Sequence, residues 1–277
     1  METVAIVGVG LIGASFGLAL RKSGFAGPIL GVSSPPAMEA GLASGAISSA
    51  ATLKQAADQA DLIYLAQPVD RIIDTLGWLG PMARQGAVIT DAGSTKAAIV
   101  KAGQSIQYAE FIGGHPMAGK ETRGAQSADA DLFRNRLYVL TPEYRAVPQS
   151  LRNILQLIGA NVLEMTAAEH DATVALTSHL PQLISTALAA FLANQKNANI
   201  EQVFGSGLLD MTRLAMSPAE LWSSILATNK ENVLQGIDLF TRVMLDLKQA
   251  VQDDNLDALF SIAASFSSHL RSSKLDK

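Results

Sequence analysis

The segment Gly8-Val9-Gly10-Leu11-Ile12-Gly13 constrains this chain more than any other feature. It follows an apolar, β-branched run at 3–9 and leads directly into a helical pattern at 11–22. A G-x-G-x-x-G string alone says little, but between a strand and a helix it specifies a turn with a purpose. The first glycine permits the tight turn, the second lets backbone approach a pyrophosphate, and the third lets helix and strand pack closely. The diphosphate of a dinucleotide then rests on the positive end of the helix. Gly8, Gly10, Leu11, Ile12 and Gly13 are therefore expected to bind a nicotinamide dinucleotide.

Further short apolar runs at 28–32, 61–66, 87–90, 110–114, 137–141 and 161–165 read as strands, with a helix at 149–158 between the last two. Strands alternating with helices form βαβ units and a mostly parallel sheet covered on both faces. Strand signals stop near 166. Val233, Ile237, Phe240, Met244, Leu247 and Val251 then mark one stripe of a long helix over 229–253. Leu256, Leu259, Phe260, Ala263, Phe266 and Leu270 mark the next, and Ser217-Pro218-Ala219-Glu220 reads as a helix start capped by the serine. The expected fold is α/β: a Rossmann-type dinucleotide-binding domain at 1–165 followed by an all-α domain at 166–277. The stripes exceed what so small a bundle can bury, so a homodimer through the helical domain is expected.

Composition excludes several classes. The chain is 48% hydrophobic and only 17% charged, with net charge −4, against a nucleic-acid or anionic-membrane binder that would need a basic face. It has no cysteine, which removes thiol nucleophiles, disulfides and cysteine-held metals. Its four histidines show no metal-ligand spacing, and no metal site is expected. The uncharged stretch 172–195 is as long as a membrane span. Its His179, Pro181, Gln182, Ser185 and Thr186 instead suggest a helix buried in protein. No targeting segment is expected ahead of the first strand, so a cytoplasmic protein is expected, and no regulatory domain is expected after the bundle.

About twenty residues beyond the glycines, an NAD site usually presents an acid to the ribose. This chain has Ser33 and Ser34 there, with neither an acid nor an arginine, which favours NADP and permits NAD. Gln67-Pro68-Val69, at the end of another strand, is expected to lie against the cofactor.

Four motifs gather at the expected carboxyl ends of the strands or open onto them. They are Asp91-Ala92-Gly93-Ser94-Thr95-Lys96, Gly113-Gly114-His115-Pro116-Met117-Ala118-Gly119, Ser178-His179-Leu180-Pro181-Gln182 and Asp210-Met211-Thr212-Arg213. Together they resemble the prephenate/arogenate dehydrogenase family over nearly the whole chain. The resemblance implies oxidation of a cyclohexadienol with loss of CO2 and aromatisation. It implies His115 as the base for the ring hydroxyl, Ser94 as its hydrogen-bonding partner and Arg213 as the grip on a substrate carboxylate. Glu121 matches an acid that tunes this charge network, and Ser178, His179, Gln182 and Lys120 fall with the substrate-binding set.

Ser94 also reads as a helix cap, and Arg213 as a surface ion pair with Asp210. His170, between Glu169 and Asp171, and His269, near the basic tail, read as solvent-facing. Gln182 stands where many prephenate-using relatives have histidine, and Lys120 where they often have a small polar residue. A lysine near the substrate should repel arogenate's ammonium, so prephenate is the expected substrate and arogenate the alternative. Two other readings compete. One is a β-hydroxyacid dehydrogenase using Lys196, Lys230 or Lys248; the other is an inactive dinucleotide-sensing protein, in which His115 or Arg213 should be lost.

Overall fold

Runs such as Val4–Val7 and Leu62–Leu65 are apolar at every position, so both faces of each strand must be buried. The computed structural model, which describes residues 1–197 and 199–275, buries all eight of these residues. Eight strands form one sheet: β1 (Val4–Val7), β2 (Ile29–Val32), β3 (Ser49–Ala50), β4 (Leu62–Leu65), β5 (Val88–Asp91), β6 (Glu110–Pro116), β7 (Leu137–Thr141) and β8 (Asn161–Glu164). Their order is β3-β2-β1-β4-β5-β6-β7-β8. Strands β1 to β6 are parallel; β7 runs antiparallel to β6 and parallel to β8. The sheet therefore has the mixed edge that a mostly parallel reading allows.

Helices cover both faces: α1 (Leu11–Lys22), α2 (Pro35–Ala43), α3 (Leu53–Gln59), α4 (Val69–Leu79), α5 (Ala97–Gly103) and α6 (Gln149–Leu157). On one face Phe16 of α1 stacks on Tyr64 of β4 with ring centroids 3.9 Å apart, and Leu151 and Leu155 of α6 extend the same core. On the other, Ile72 and Leu76 of α4 meet Ile63 and Leu65. The chain then becomes helical: α7 (Ala167–Val174), a π-turn (Ala175–His179), α8 (Leu180–Ala193), α9 (Ser206–Thr212) and α10 (Ala219–Thr228). These belong to the same compact unit as the sheet, which runs from Met1 to Asn229, past the 165/166 boundary drawn where the strands end.

A second unit, Lys230–Lys277, holds α11 (Lys230–Gln252) and α12 (Asp257–Leu275). Ile237, Met244 and Val251 of the first stripe, and Phe260 and Phe266 of the second, are exposed in the single chain.

Three local expectations need correction. The helix α10 begins at Ala219 with Pro218 at its cap, one residue later than read, and Ser217 makes no cap. The two-residue β3 was missed because Ser49 and Ala50 are exposed and carry no apolar pattern; only backbone pairing to Leu30 and Gly31 defines it. The stretch 172–195 is not buried. The helical run Ala167–Ala193 is long and apolar enough to span a membrane, yet only 28% of its most apolar window is buried. Its inward residues include the polar His179, Gln182 and Ser185, whereas Leu176 and Phe191 face out.

The strand order reverses beside β1 and β4, where open α/β sheets form their ligand crevice. Gly8 has φ +97°, and a side chain there would strike the Ala66 carbonyl at the end of β4. At Gly13 a side chain would run into the Gly8 carbonyl and Ile6. Around Gly10 nothing lies within 4 Å of where a Cβ would stand. The two alanine variants should therefore separate. Gly13→Ala should destabilise the fold measurably in denaturant. Gly10→Ala should leave the unfolding midpoint unchanged and weaken dinucleotide binding roughly tenfold or more, read by calorimetry. Equal effects on stability would contradict these roles.

Candidate active site

A cavity of about 660 Å³ opens at the switch point. The glycine turn contributes Gly10, Leu11 and Ile12; the end of β4 contributes Gln67 and Pro68; the loop after β5 contributes Ser94. Lys120 and Glu121 come from the loop after β6, and Arg213 from a 3-10 turn after α9, with α10 closing the far wall. Gly8 and Gly13 shape the turn from behind. Ser33 and Ser34 follow β2, whose Val32 carbonyl accepts from the Gly8 amide at 2.8 Å, and they do not border the cavity. The fit to a dinucleotide rests on the α1 N-terminus, where Gly10 caps the helix with no side chain and backbone can meet a diphosphate.

The ends of β5 and β6 are locked together. Asp91 is fully buried and accepts from the amides of Gly93 at 2.8 Å and Gly114 at 2.9 Å. It pairs with the equally buried Lys96, whose ammonium also donates to the Gly114 carbonyl at 2.7 Å. Burial presses the Lys96 ammonium below a lysine's usual value, and Asp91 opposes it. Such a pair is costly to break and holds its surroundings in one geometry. Ser94 leaves from one of these strands and His115 stands on the other.

Ser94 is not the cap of α5. The cap position is Lys96, and the capping acceptor comes from afar: the Asp171 carboxylate on α7 accepts from the Lys96 amide at 2.7 Å and the Ala97 amide at 2.9 Å. The Ser94 hydroxyl is thereby left on the cavity wall.

His115 is partly buried, off the cavity wall, with Nδ1 2.8 Å from Nε2 of His170. His170 in turn places Nδ1 2.8 Å from Asp171 Oδ1. The reading of His170 as solvent-facing is therefore wrong: its side chain is 1% exposed. Ala167, His170, Asp171 and Val174 lie on one face of α7 and are all buried, a spacing of three, four and seven that was present in the sequence. The flanking acids concealed it, because they suggested a solvated segment. His269 is exposed, as read.

His179 is 1% exposed, with its ring edge-on to Trp222 and its Nδ1 3.3 Å from the Asn229 amide nitrogen. Ser178 is partly buried, and neither borders the cavity. Gln182 is also away from the wall. Its amide donates to the Leu214 carbonyl at 2.8 Å and to Thr186 at 3.3 Å, so it anchors the turn that carries Arg213. Arg213 pairs with Glu121 at 2.7 Å, not with Asp210. Both side chains are more than half exposed, so the pair adds little stability and can rearrange. Lys120 pairs with Asp129 at 2.9 Å and donates to the Ser127 carbonyl.

A sheet of this order with a glycine turn and cavity at its switch point defines a dinucleotide-binding protein of Rossmann type. The sequence profile of the prephenate dehydrogenase nucleotide-binding domain matches residues 16–164, and that of the dimerization domain of the same enzymes matches 166–265. The chain belongs to the prephenate dehydrogenase family. It is 33% identical to prephenate dehydrogenase of Lactococcus lactis subsp. cremoris over 248 residues, covering 87% of this chain and 69% of that one. It is 31% identical to the Bacillus subtilis enzyme over 273 residues, 94% and 72% of the two chains. A crystal structure of A. aeolicus prephenate dehydrogenase with hydroxyphenyl propionate and NAD+ superposes with a TM-score of 0.88 at 27% identity, covering 100% and 98% of the chains. Synechocystis arogenate dehydrogenase gives 0.83 at 29% identity, covering 98% and 99%.

The buried histidines make stability depend on pH. Burial pushes His179 down to about 4, with Asp171 opposing. His115 lies well below the usual histidine value, through burial first, then through His170, Lys96 and His179, which disfavour another positive charge. Unfolded, both bind protons near pH 6.5. Their depressed folded values therefore make the unfolded chain the better proton binder below that pH, and stability is lost as pH falls from about 6.5 toward 4. His179 alone should contribute about 3 kcal/mol of this loss. Denaturant unfolding at stepped pH should show the decline, with a shallower slope in His179→Gln; an equal slope in the variant would contradict the assignment.

Proposed function

We propose that this chain oxidatively decarboxylates prephenate to 4-hydroxyphenylpyruvate, a step in tyrosine biosynthesis. The observation that carries this reading is a single cavity sharing the dinucleotide turn, the Ser94 hydroxyl and the Arg213–Glu121 pair, beside a strand that carries His115 as its next-to-last residue. A nicotinamide held there supplies the hydride acceptor. Arg213 meets a substrate carboxylate with a planar guanidinium, and Glu121, now holding its Nη1, yields as the dianion enters. Ser94 orients the ring hydroxyl, and His115 accepts its proton. Departure of the ring carboxylate as CO2 leaves an aromatic ring, so the driving force lies in the substrate.

The base requires a neutral imidazole, and the depressed value of His115 supports one throughout the neutral range. Ser178, His179 and Gln182 act in this reading through the packing behind the cavity, and Lys120 at its rim. NADP is the proposed preference, with NAD accepted, because no acid follows β2 and the Ser34 hydroxyl makes no cap bond to α2. The name of the matched dimerization profile and the exposed apolar stripes support a homodimer through the helical region. The biosynthetic relatives support a cytoplasmic enzyme.

Arogenate is the second reading, favoured by the Synechocystis neighbour. Pairing of Lys120 with Asp129 weakens the charge argument against it. Rates of reduced-nicotinamide formation with prephenate and arogenate, each against NAD and NADP, test the whole reading. Prephenate with NADP should give the highest kcat/KM, and no turnover in any of the four combinations would refute it. His115→Asn should lower kcat by about 10²- to 10⁴-fold with KM nearly unchanged. Arg213→Ala should raise the substrate KM roughly tenfold or more, and an unchanged KM would make the arginine structural.

A further inference from the structure

Three groups stand in line behind the proposed base. Asp171 Oδ1 lies 2.8 Å from His170 Nδ1, and His170 Nε2 lies 2.8 Å from His115 Nδ1. We propose that Asp171 and His170 are positioning residues that fix the tautomer of His115, protonating Nδ1 and leaving Nε2 as the lone pair offered to the substrate hydroxyl. The inference rests on His115 being the base, and it assigns a role to two residues that touch neither substrate nor cofactor.

An ionised carboxylate only accepts, so His170 Nδ1 must carry the proton it gives to Asp171. A neutral imidazole with Nδ1 protonated has only an acceptor at Nε2, so His115 Nδ1 must be the donor to it. With its single proton at Nδ1, a neutral His115 has Nε2 free.

The line is anchored at its Asp171 end. The Asp171 carboxylate is pinned by the Lys96 and Ala97 amides, and its backbone carbonyl accepts from the Asn229 amide at 2.7 Å. His170 is 1% exposed, and its ring meets that of His115 edge-on at 5.1 Å. When His115 Nε2 takes the hydroxyl proton, the imidazolium keeps its Nδ1–H on His170. The Asp171 carboxylate then supplies the compensating negative charge through the intervening ring. The proton balance is complete: one leaves the substrate oxygen, one arrives at Nε2, and no proton needs to cross to Asp171.

Two measurements test this. Nitrogen-15 NMR of histidine-labelled wild-type protein reads the tautomer directly, without needing turnover. His115 should show a protonated Nδ1 and an unprotonated Nε2. Asp171→Asn keeps an acceptor oxygen where the Lys96 amide and His170 Nδ1 both donate, but removes the negative charge that compensates the His115 imidazolium. Its kcat should fall about 10²- to 10⁴-fold with KM within about threefold.

His170→Phe removes the acceptor but leaves the α5 cap intact, and should lose at least about 10²-fold in kcat at unchanged KM. His170→Gln retains an acceptor and should recover part of that loss. A wild-type His115 protonated at Nε2, or His170→Phe with kcat within threefold of wild type, would overturn the proposal. A wild type that turns over none of the substrates, yet shows the expected tautomer, would instead fault the functional reading. Because the wild-type spectrum alone decides the tautomer, misfolding of a variant does not rescue or sink the idea.

Discussion

The Asp171 carboxylate ties the helical part of the first unit to the helix that follows β5. Asp171 leaves α7, closes on the bare N-terminus of α5 through two backbone amides, and receives His170 on the same oxygen as one of them. Without it the first amides of α5 would lack an acceptor inside the protein, and Lys96, buried at the head of that helix, would lose its fixed place opposite Asp91. The loop bearing Ser94 and the strand bearing His115 diverge from this point. A helix cap made by a residue some 75 positions away is thus also the frame of the site.

Much of the architecture was legible because its signals are local. The strand Leu137–Thr141 and the helix Leu11–Lys22 stand where the apolar runs put them, and the glycine motif located the cavity. Two of the failures have their cause in partners distant along the chain. Ser94 looks like a cap until Asp171 is seen to do that work; Arg213 seems destined for Asp210 until the fold brings Glu121 to it across 92 positions. His170 was hidden by its charged neighbours, although the periodicity of α7 already put it on the inner face.

The helix over 180–193 shows a different limit. Its composition is that of a core helix, but its buried side chains are the polar Gln182 and Ser185, while Leu183, Ile184, Leu188 and Leu192 are half-buried and Phe191 is exposed. Hydropathy records how much apolar surface exists and not which molecule covers it. The same holds for α11 and α12, where periodicity placed the helices and could say only that something must meet their apolar residues. Lys120 teaches the converse: a charge beside a cavity is not a charge offered to a ligand while Asp129 holds it.

The central claim is spatial: His115 Nε2 must reach the hydroxyl of a ring lying in the dinucleotide cavity. A crystal structure of this protein with the oxidised dinucleotide and a phenolic product analogue measures it most directly. The account predicts His115 Nε2 within about 3.2 Å of the phenolic oxygen, with the Arg213 guanidinium on the analogue's carboxylate. A bound ring lying elsewhere, or oriented with its oxygen away from the end of β6 and out of reach of His115, would contradict it.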